Sequence, residues 1–203
     1  MAEPTADALD KRREIVRASA PLFDRQGYAN TSMTDIAEAC GLRKPTLYHY
    51  FGSKDAILFE IHDQLMDDLQ ARLDARLAQT DQPAARAIEG TIHDVLDAFA
   101  THPGFARVFI EAHRELPEEH RRVVAAKRDR YSEQFEGLIE QAQDDGDLRR
   151  LDVTLTRLSV LGMASWAYHW LDTHGAMPID AIARFMWDVI FGGLASDRDG
   201  EQS

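Results

Sequence analysis

The chain of 203 residues is long enough for one mid-sized domain, or for a small domain joined to a larger one. Its residues are 44% hydrophobic and 29% charged, so a packed core can form under a well-solvated surface, and no apolar run approaches the roughly 20 residues that span a bilayer. A transmembrane reading is excluded. The polar N-terminus lacks the pattern of a secretory signal, and the one cysteine, Cys40, can form no internal disulfide, so a cytoplasmic protein is expected.

The net charge of −12 argues at face value against a nucleic-acid partner. It is unevenly spread. Residues 1–54 hold eight Lys/Arg and seven Asp/Glu, a formal charge of +1, which leaves −13 on the remainder. A near-neutral head carrying local basic points precedes a strongly acidic body. Such a body helps solubility and can orient the head toward a polyanion.

Apolar residues recur at three- and four-residue spacing almost throughout, and alternating strand-like runs are missing. The first helix, placed at 10–26, puts Ile15, Ala18, Leu22 and Phe23 on one stripe and stops at Gly27. A short helix follows from about Ser32 to Cys40, with a Thr31/Ser32 cap and Asp35 three residues beyond Ser32. Gly41 breaks it. Pro45 opens the first turn of another short helix, which ends at Gly52-Ser53. Longer helices are expected at about 54–79, 84–101, 104–115, 118–144, 152–173 and 179–196. Turn signals separate them at Gln82-Pro83, His102-Pro103-Gly104, Leu116-Pro117, Asp145-Gly146 and Gly175 to Pro178. The expected fold is all-α with about nine helices, and the tail from Asp197 is read as frayed.

Residues 31–54 contain two helices of under ten residues joined by a Gly-containing turn, which is a helix-turn-helix. The second would enter the major groove of DNA and expose Lys44, Thr46, His49 and Tyr50, while Leu47 and Phe51 turn inward. Those exposed groups are donors and planar rings suited to phosphates, base edges and thymine methyls. Each also has a plainer reading: Tyr48 and Tyr50 can pack between helices, and Arg12, Arg13 and Arg17 can form a solvated face rather than a phosphate clamp. Cys40 reads as a small buried hydrophobe without redox function.

The string Gly27-Tyr28, Thr31-Ser32-Met33, Ile36-Ala37, Gly41-Leu42, Leu47-Tyr48-His49-Tyr50-Phe51 and Ser53-Lys54 resembles the DNA-binding domain of the TetR family of transcriptional repressors. The resemblance implies a three-helix DNA-binding domain at 1–53 and a larger ligand-binding and dimerisation domain at 54–203. It implies phosphate contacts from Thr31, Ser32, Tyr50 and Lys54, and places Lys44, Thr46, Tyr48 and His49 at or near bases. Two positions depart from the pattern. Arg43 stands where a small hydroxyl residue is usual, so a side-chain cap is lost and a cation gained. Pro45 stands where glycine or alanine is common, which stiffens the first turn.

The resemblance also implies a homodimer on double-stranded operator DNA, joined through the last two helices at about 152–196, and an effector cavity in the body. Composition agrees about the seam. Residues 153–171 and the last helix are apolar on more than one face, with Gly162, Gly192 and Gly193 allowing close approach. Candidate lining residues are His62, Met66, Ile92, Phe99, Phe105, Phe109, His113, Tyr131, Trp166, His169 and Trp170, each of which can equally be ordinary core. The run Leu161 to Trp170 looks like a subgroup linked to lipid, sterol or aromatic-acid catabolism whose members respond to acyl-CoA thioesters. Cations for CoA phosphates are concentrated at Arg107, Arg114, Arg121, Arg122, Lys127 and Arg128. A drug or an aromatic compound is the competing effector class.

No Gly-rich phosphate loop, nucleophile elbow or His-Glu-x-x-His helix is present, so no enzyme is expected. His62, His93 and His113 do not follow a recognised ligand spacing, and neither a metal nor another cofactor is expected. The remaining rival is a helical adaptor that binds proteins through its acidic body. Salt-steep affinity for a palindromic duplex separates that reading from a repressor.

Overall fold

The computed structural model describes residues 5–79, 81–102, 104–171 and 177–194. Among these lie nine α-helices: α1 (Ala6–Gln26), α2 (Met33–Ala39), α3 (Lys44–Tyr50), α4 (Lys54–Leu77), α5 (Ala84–Thr101), α6 (Phe105–Glu111), α7 (Glu118–Asp144), α8 (Val153–Trp166) and α9 (Ile179–Leu194). Single 3-10 turns follow α6 at His113–Glu115 and α8 at Ala167–His169. The all-helical expectation holds, with differences at element ends. Helix α1 starts earlier than expected because the Thr5 hydroxyl caps it, accepting from the Ala8 amide at 3.4 Å. The segments expected as helices at 104–115 and 152–173 each tighten into a 3-10 turn instead of continuing. Pro103, the last two residues of the segment expected at 152–173, Gly175 and Ala176 of the turn before Pro178, the last two residues of the segment expected at 179–196, and the tail lie outside the described residues. Among the described residues no helix is long and apolar enough to cross a membrane.

The chain forms two compact units, Met1–Asp67 with Thr101–Ala125, and Asp68–Ala100 with Ala126–Ser203. In the first, α2 packs on α1, α3 packs on α2, and α6 packs on α1. Its core holds Ile15, Val16, Ala20, Phe23, Ile36, Leu47, Phe51, Ile57 and Ile61. Helix α2 begins with a reciprocal cap. The Ser32 hydroxyl accepts from the Asp35 amide at 3.2 Å, and the Asp35 carboxylate accepts from the Ser32 amide at 2.8 Å. Those bonds hold the Asp35 pKa below its ordinary value. Helix α6 approaches α1 backbone to backbone. Gly104 has φ +83°, and a Cβ built there would lie 2.9 Å from the Ala20 carbonyl carbon and oxygen and 3.0 Å from the Pro21 nitrogen. Beside that contact, Arg107 pairs with Asp24 at 2.6 Å.

In the second unit, Ile88, Ile92, Leu96 and Phe99 of α5 are buried, as are Phe135, Leu138 and Ile139 of α7, Val160 of α8 and Met186 of α9. Helices α8 and α9 pack together. Polar order runs through this core. Arg76 grips the buried Asp94 with two nitrogens, one at 2.7 Å, and its guanidinium fills the space over Gly90 where a side chain would otherwise stand. Arg72 bridges Asp68 at 3.0 Å and Asp97 at 2.7 Å.

Gly104→Ala adds both a strained left-handed φ and a backbone collision. We expect a loss of more than about 2 kcal/mol, read as a fall of several degrees in the thermal midpoint; an unchanged midpoint would mean α6 is not seated on α1. Ser32→Ala should cost about 1 kcal/mol. Because Asp35 is lowered, its contribution is fully present above the unfolded pKa and is lost as pH falls through the folded one. Denaturant titrations at pH 7 and pH 3 should therefore find a smaller penalty for Ser32→Ala in acid.

Candidate nucleic-acid interface

Helix α3 is only seven residues long, and its sides divide sharply. Leu47 is fully buried and Phe51, at its C-terminal cap, is 1% exposed, which fixes the rotation of the helix about its axis. That rotation leaves Lys44, Pro45, Thr46 and His49 exposed, Tyr48 46% exposed and Tyr50 half-buried. The His49 and Tyr50 rings meet edge to face with centroids 5.5 Å apart. Arg43 occupies the N-cap position with no side-chain hydrogen bond to the helix, so its guanidinium is exposed beside Lys44. Gly41 (φ +63°) reverses the chain before α3, and the Leu42 amide donates to the Ala37 carbonyl at 2.8 Å. The result is a polar, cationic, ring-bearing face on a helix whose other side is anchored.

The flanking residues divide differently. Ser32 is exposed at the start of α2, whereas Thr31 is 2% exposed and its hydroxyl donates to the Gly27 carbonyl at 2.9 Å. Lys54 directs its ammonium inward, donating to the carbonyls of Tyr28 at 2.7 Å and Thr31 at 2.9 Å and lying 4.2 Å from the centre of the Tyr28 ring. The Tyr28 hydroxyl in turn donates to Asp55. Burial, and after it this hydrogen bond, raises the Tyr28 pKa. The loop between α1 and α2 is thus tied to the start of α4 by side chains that periodicity does not single out. Arg12 makes a similar long-range connection, to the Tyr50 carbonyl at 2.6 Å and to Glu60 at 2.8 Å. Arg13 pairs with Asp10 at 3.1 Å, and Arg17 is exposed. Cys40 is half-buried at the end of α2, and burial raises its thiol pKa, so it carries no reactive thiolate.

The residues considered for an effector cavity fall into separate groups. His62, Met66, Phe105 and Phe109 are buried in the first unit, with the His62 and Phe109 rings 5.3 Å apart, and His113 is half-buried there. Ile92, Phe99 and Tyr131 are buried in the second, where burial raises the Tyr131 pKa. Trp166, His169 and Trp170 are exposed, with the Trp166 and His169 rings 4.2 Å apart. Among the cations considered for CoA phosphates, Arg107 is held by Asp24, and Arg121 and Arg122 by Glu118. Arg114 is exposed.

Helices α8 and α9 present a second feature. Leu155, Leu158, Gly162 and Trp166 form an exposed stripe along α8, and Phe185, Val189 and Gly192 form one along α9. Phe185 is 69% exposed, and a Cβ built at Gly162, Gly192 or Gly193 would meet nothing within 4 Å. An apolar area of this kind on a water-facing surface marks an interaction site.

Comparison with known proteins agrees with this geometry. Residues 15–61 match the family described as bacterial regulatory proteins, tetR family, and residues 81–194 match the tetracyclin repressor-like C-terminal domain. The chain is 27% identical over 198 residues to the HTH-type transcriptional repressor KstR2 of Rhodococcus jostii (strain RHA1), covering 96% of each chain. The TetR family transcriptional regulator PfmR from Thermus thermophilus superimposes with a TM-score of 0.81 at 31% identity, over 88% of this chain and 97% of that one. AibR, solved in complex with isovaleryl coenzyme A and operator DNA, superimposes with a TM-score of 0.80 at 27% identity, over 89% and 98%. The match over both parts of the chain selects the repressor reading over an adaptor or an enzyme: the chain belongs to the TetR family of helix-turn-helix transcriptional regulators.

Proposed function

We propose that this regulator acts in the cytoplasm as a homodimeric repressor of a palindromic operator and releases DNA when a small apolar effector, an acyl-CoA thioester, binds its body. Residues 1–53 serve as the DNA-binding head, and 54–203 as the effector and dimerisation part. The observation that carries the reading is the division of α3, with Leu47 and Phe51 buried and a cationic, ring-bearing face left open. Arg43, Lys44, Thr46, Tyr48, His49 and Tyr50 form the groove-facing set with Ser32 beside them, Arg43 and Lys44 as cations for phosphate or guanine, and Thr46 and Tyr48 for base edges and thymine methyls. Thr31 and Lys54 contribute from behind this face, through the loop that they hold.

The exposed stripes of α8 and α9 support the dimer. Pairing these stripes about a two-fold axis buries them, and their glycines permit close helix approach. Two heads then reach major grooves about 34–36 Å apart or a multiple of that. The acyl-CoA class is supported by AibR and its isovaleryl coenzyme A complex. A ligand of this class acts through its unequal affinity for two head spacings. Helix α4, which begins at Lys54 beside the head and continues to Leu77, is the element whose movement would change that spacing.

Lys44→Ala should weaken operator binding and reduce the slope of log affinity against log salt by about 0.9, the signature of one lost phosphate contact. An unaltered titration would remove Lys44 from the interface. Leu158→Glu with Phe185→Glu should give a folded monomer in analytical ultracentrifugation, and a dimer that survives the pair would place the seam elsewhere. Isovaleryl coenzyme A, added to a complex with a duplex selected from a random pool, should release the DNA in a mobility-shift gel where free coenzyme A does not. Equal insensitivity to both would remove short acyl thioesters as effectors.

A further inference from the structure

Arg12 sits in the middle of the first half of α1, among residues of helical spacing that would ordinarily face solvent. Its guanidinium is two-thirds withdrawn from water and makes three contacts with elements far along the chain. One nitrogen donates to the main-chain carbonyl of Tyr50, the last residue of α3, at 2.6 Å. Another donates to the Glu60 carboxylate on α4 at 2.8 Å. The flat face of the group lies 4.1 Å from the centre of the Phe51 ring. A carbonyl in the last turn of a helix has no partner within that helix, so a cation there satisfies an open acceptor and complements the partial negative charge of the helix end. Glu60 completes the arrangement by neutralising the cation and fixing the plane of its fork. Lysine could not replace it, because one ammonium cannot reach the carbonyl and the carboxylate in a plane while stacking on a ring.

We propose that Arg12 is a positioning residue for DNA recognition. It touches no nucleotide; it fixes the C-terminal end of α3 against α1 and α4 and so sets the angle at which the open face of α3 meets base edges. The inference rests on α3 being the groove-entering helix. Only two other constraints act on this short helix: the burial of Leu47 and Phe51, and the turn at Gly41. Burial fixes rotation about the helix axis and the turn fixes its start. The Arg12 contacts fix its far end. Loss of them should therefore degrade base readout, which depends on sub-ångström placement, more than phosphate attraction, which is long-ranged.

The test uses the full-length protein with two probes, a duplex that the wild-type chain selects from a random pool and a scrambled duplex of the same composition. Arg12→Met should lower affinity for the selected duplex about tenfold, leave affinity for the scrambled duplex within twofold, and keep the salt slope unchanged. Glu60→Gln should produce a smaller loss in the same direction, although removal of a carboxylate alone would strengthen binding to a polyanion. Arg12→Lys should resemble Arg12→Met. Affinities are referred to the folded fraction measured by circular dichroism, and Glu60→Gln, a change at a partly exposed side chain, decides the matter if Arg12→Met does not fold. A parallel fall on both duplexes with a slope reduced by about 0.9 would identify Arg12 as a phosphate contact and overturn the proposal. An unchanged ratio of the two affinities, for Arg12→Met or in its absence for Glu60→Gln, would overturn it as well. Failure of the wild-type chain to select any duplex would instead sink the groove-facing reading of α3, and this inference with it.

Discussion

A helix of seven residues makes two turns at most, too few to persist in water, so α2 and α3 exist only because something holds them. That something is the burial of Ile36, Ala37, Leu47 and Phe51 in the core built around Ile15, Val16 and Ala20 of α1. Each large side chain taken from water contributes roughly 1.5–3 kcal/mol, which exceeds what any cap or ion pair in the head supplies. The rest is arranged around that constraint. Because the apolar side of α3 must face inward, its polar side must face out, and the orientation of the recognition surface follows from packing.

The polar contacts then refine what burial has settled. Three cations of the first 54 residues are used for different ends. Lys54 closes the loop between α1 and α2, Arg12 holds the end of α3, and Lys44 remains exposed for a partner. The near-neutral total charge of the head hides this division, since two of these charges are committed to backbone carbonyls. The same holds in the second unit, where Arg76 and Arg72 are used to keep Asp94, Asp97 and Asp68 compatible with a folded core. Arithmetic on the sequence counts such groups as surface charge. The structure turns several of them inward.

Most of the helical plan was legible beforehand because its signals are local. Ser32 with Asp35, Gly41, Pro45 and the three- and four-residue spacing of Ile57, Leu58 and Ile61 each act within a turn or two of their own position. The inward-facing Leu47 and Phe51 were legible for the same reason. The inward turn of Thr31 and Lys54, the stapling by Arg12 and the pairing of Tyr28 with Asp55 were not, because their partners lie 23 to 48 residues away or are backbone carbonyls, which no side-chain pattern announces. Trp166 and Trp170 illustrate the opposite difficulty. Aromatic residues at helical spacing look the same in sequence whether they line a cavity, fill a core or, as here within a single chain, stand in water.

The seat of Gly104 on Ala20 and Pro21 has a mechanical consequence. Side chains between two helices behave as cushions, since their rotamers can absorb a shift of a few tenths of an ångström before the next element feels it. Here main chain rests on main chain, with nothing to absorb such a shift. Any displacement of α6 is delivered undamped to the middle of α1, and Arg12 lies only about 12 Å further along that rigid rod. A stiff joint of this kind makes the head register small movements that a softer junction would dissipate.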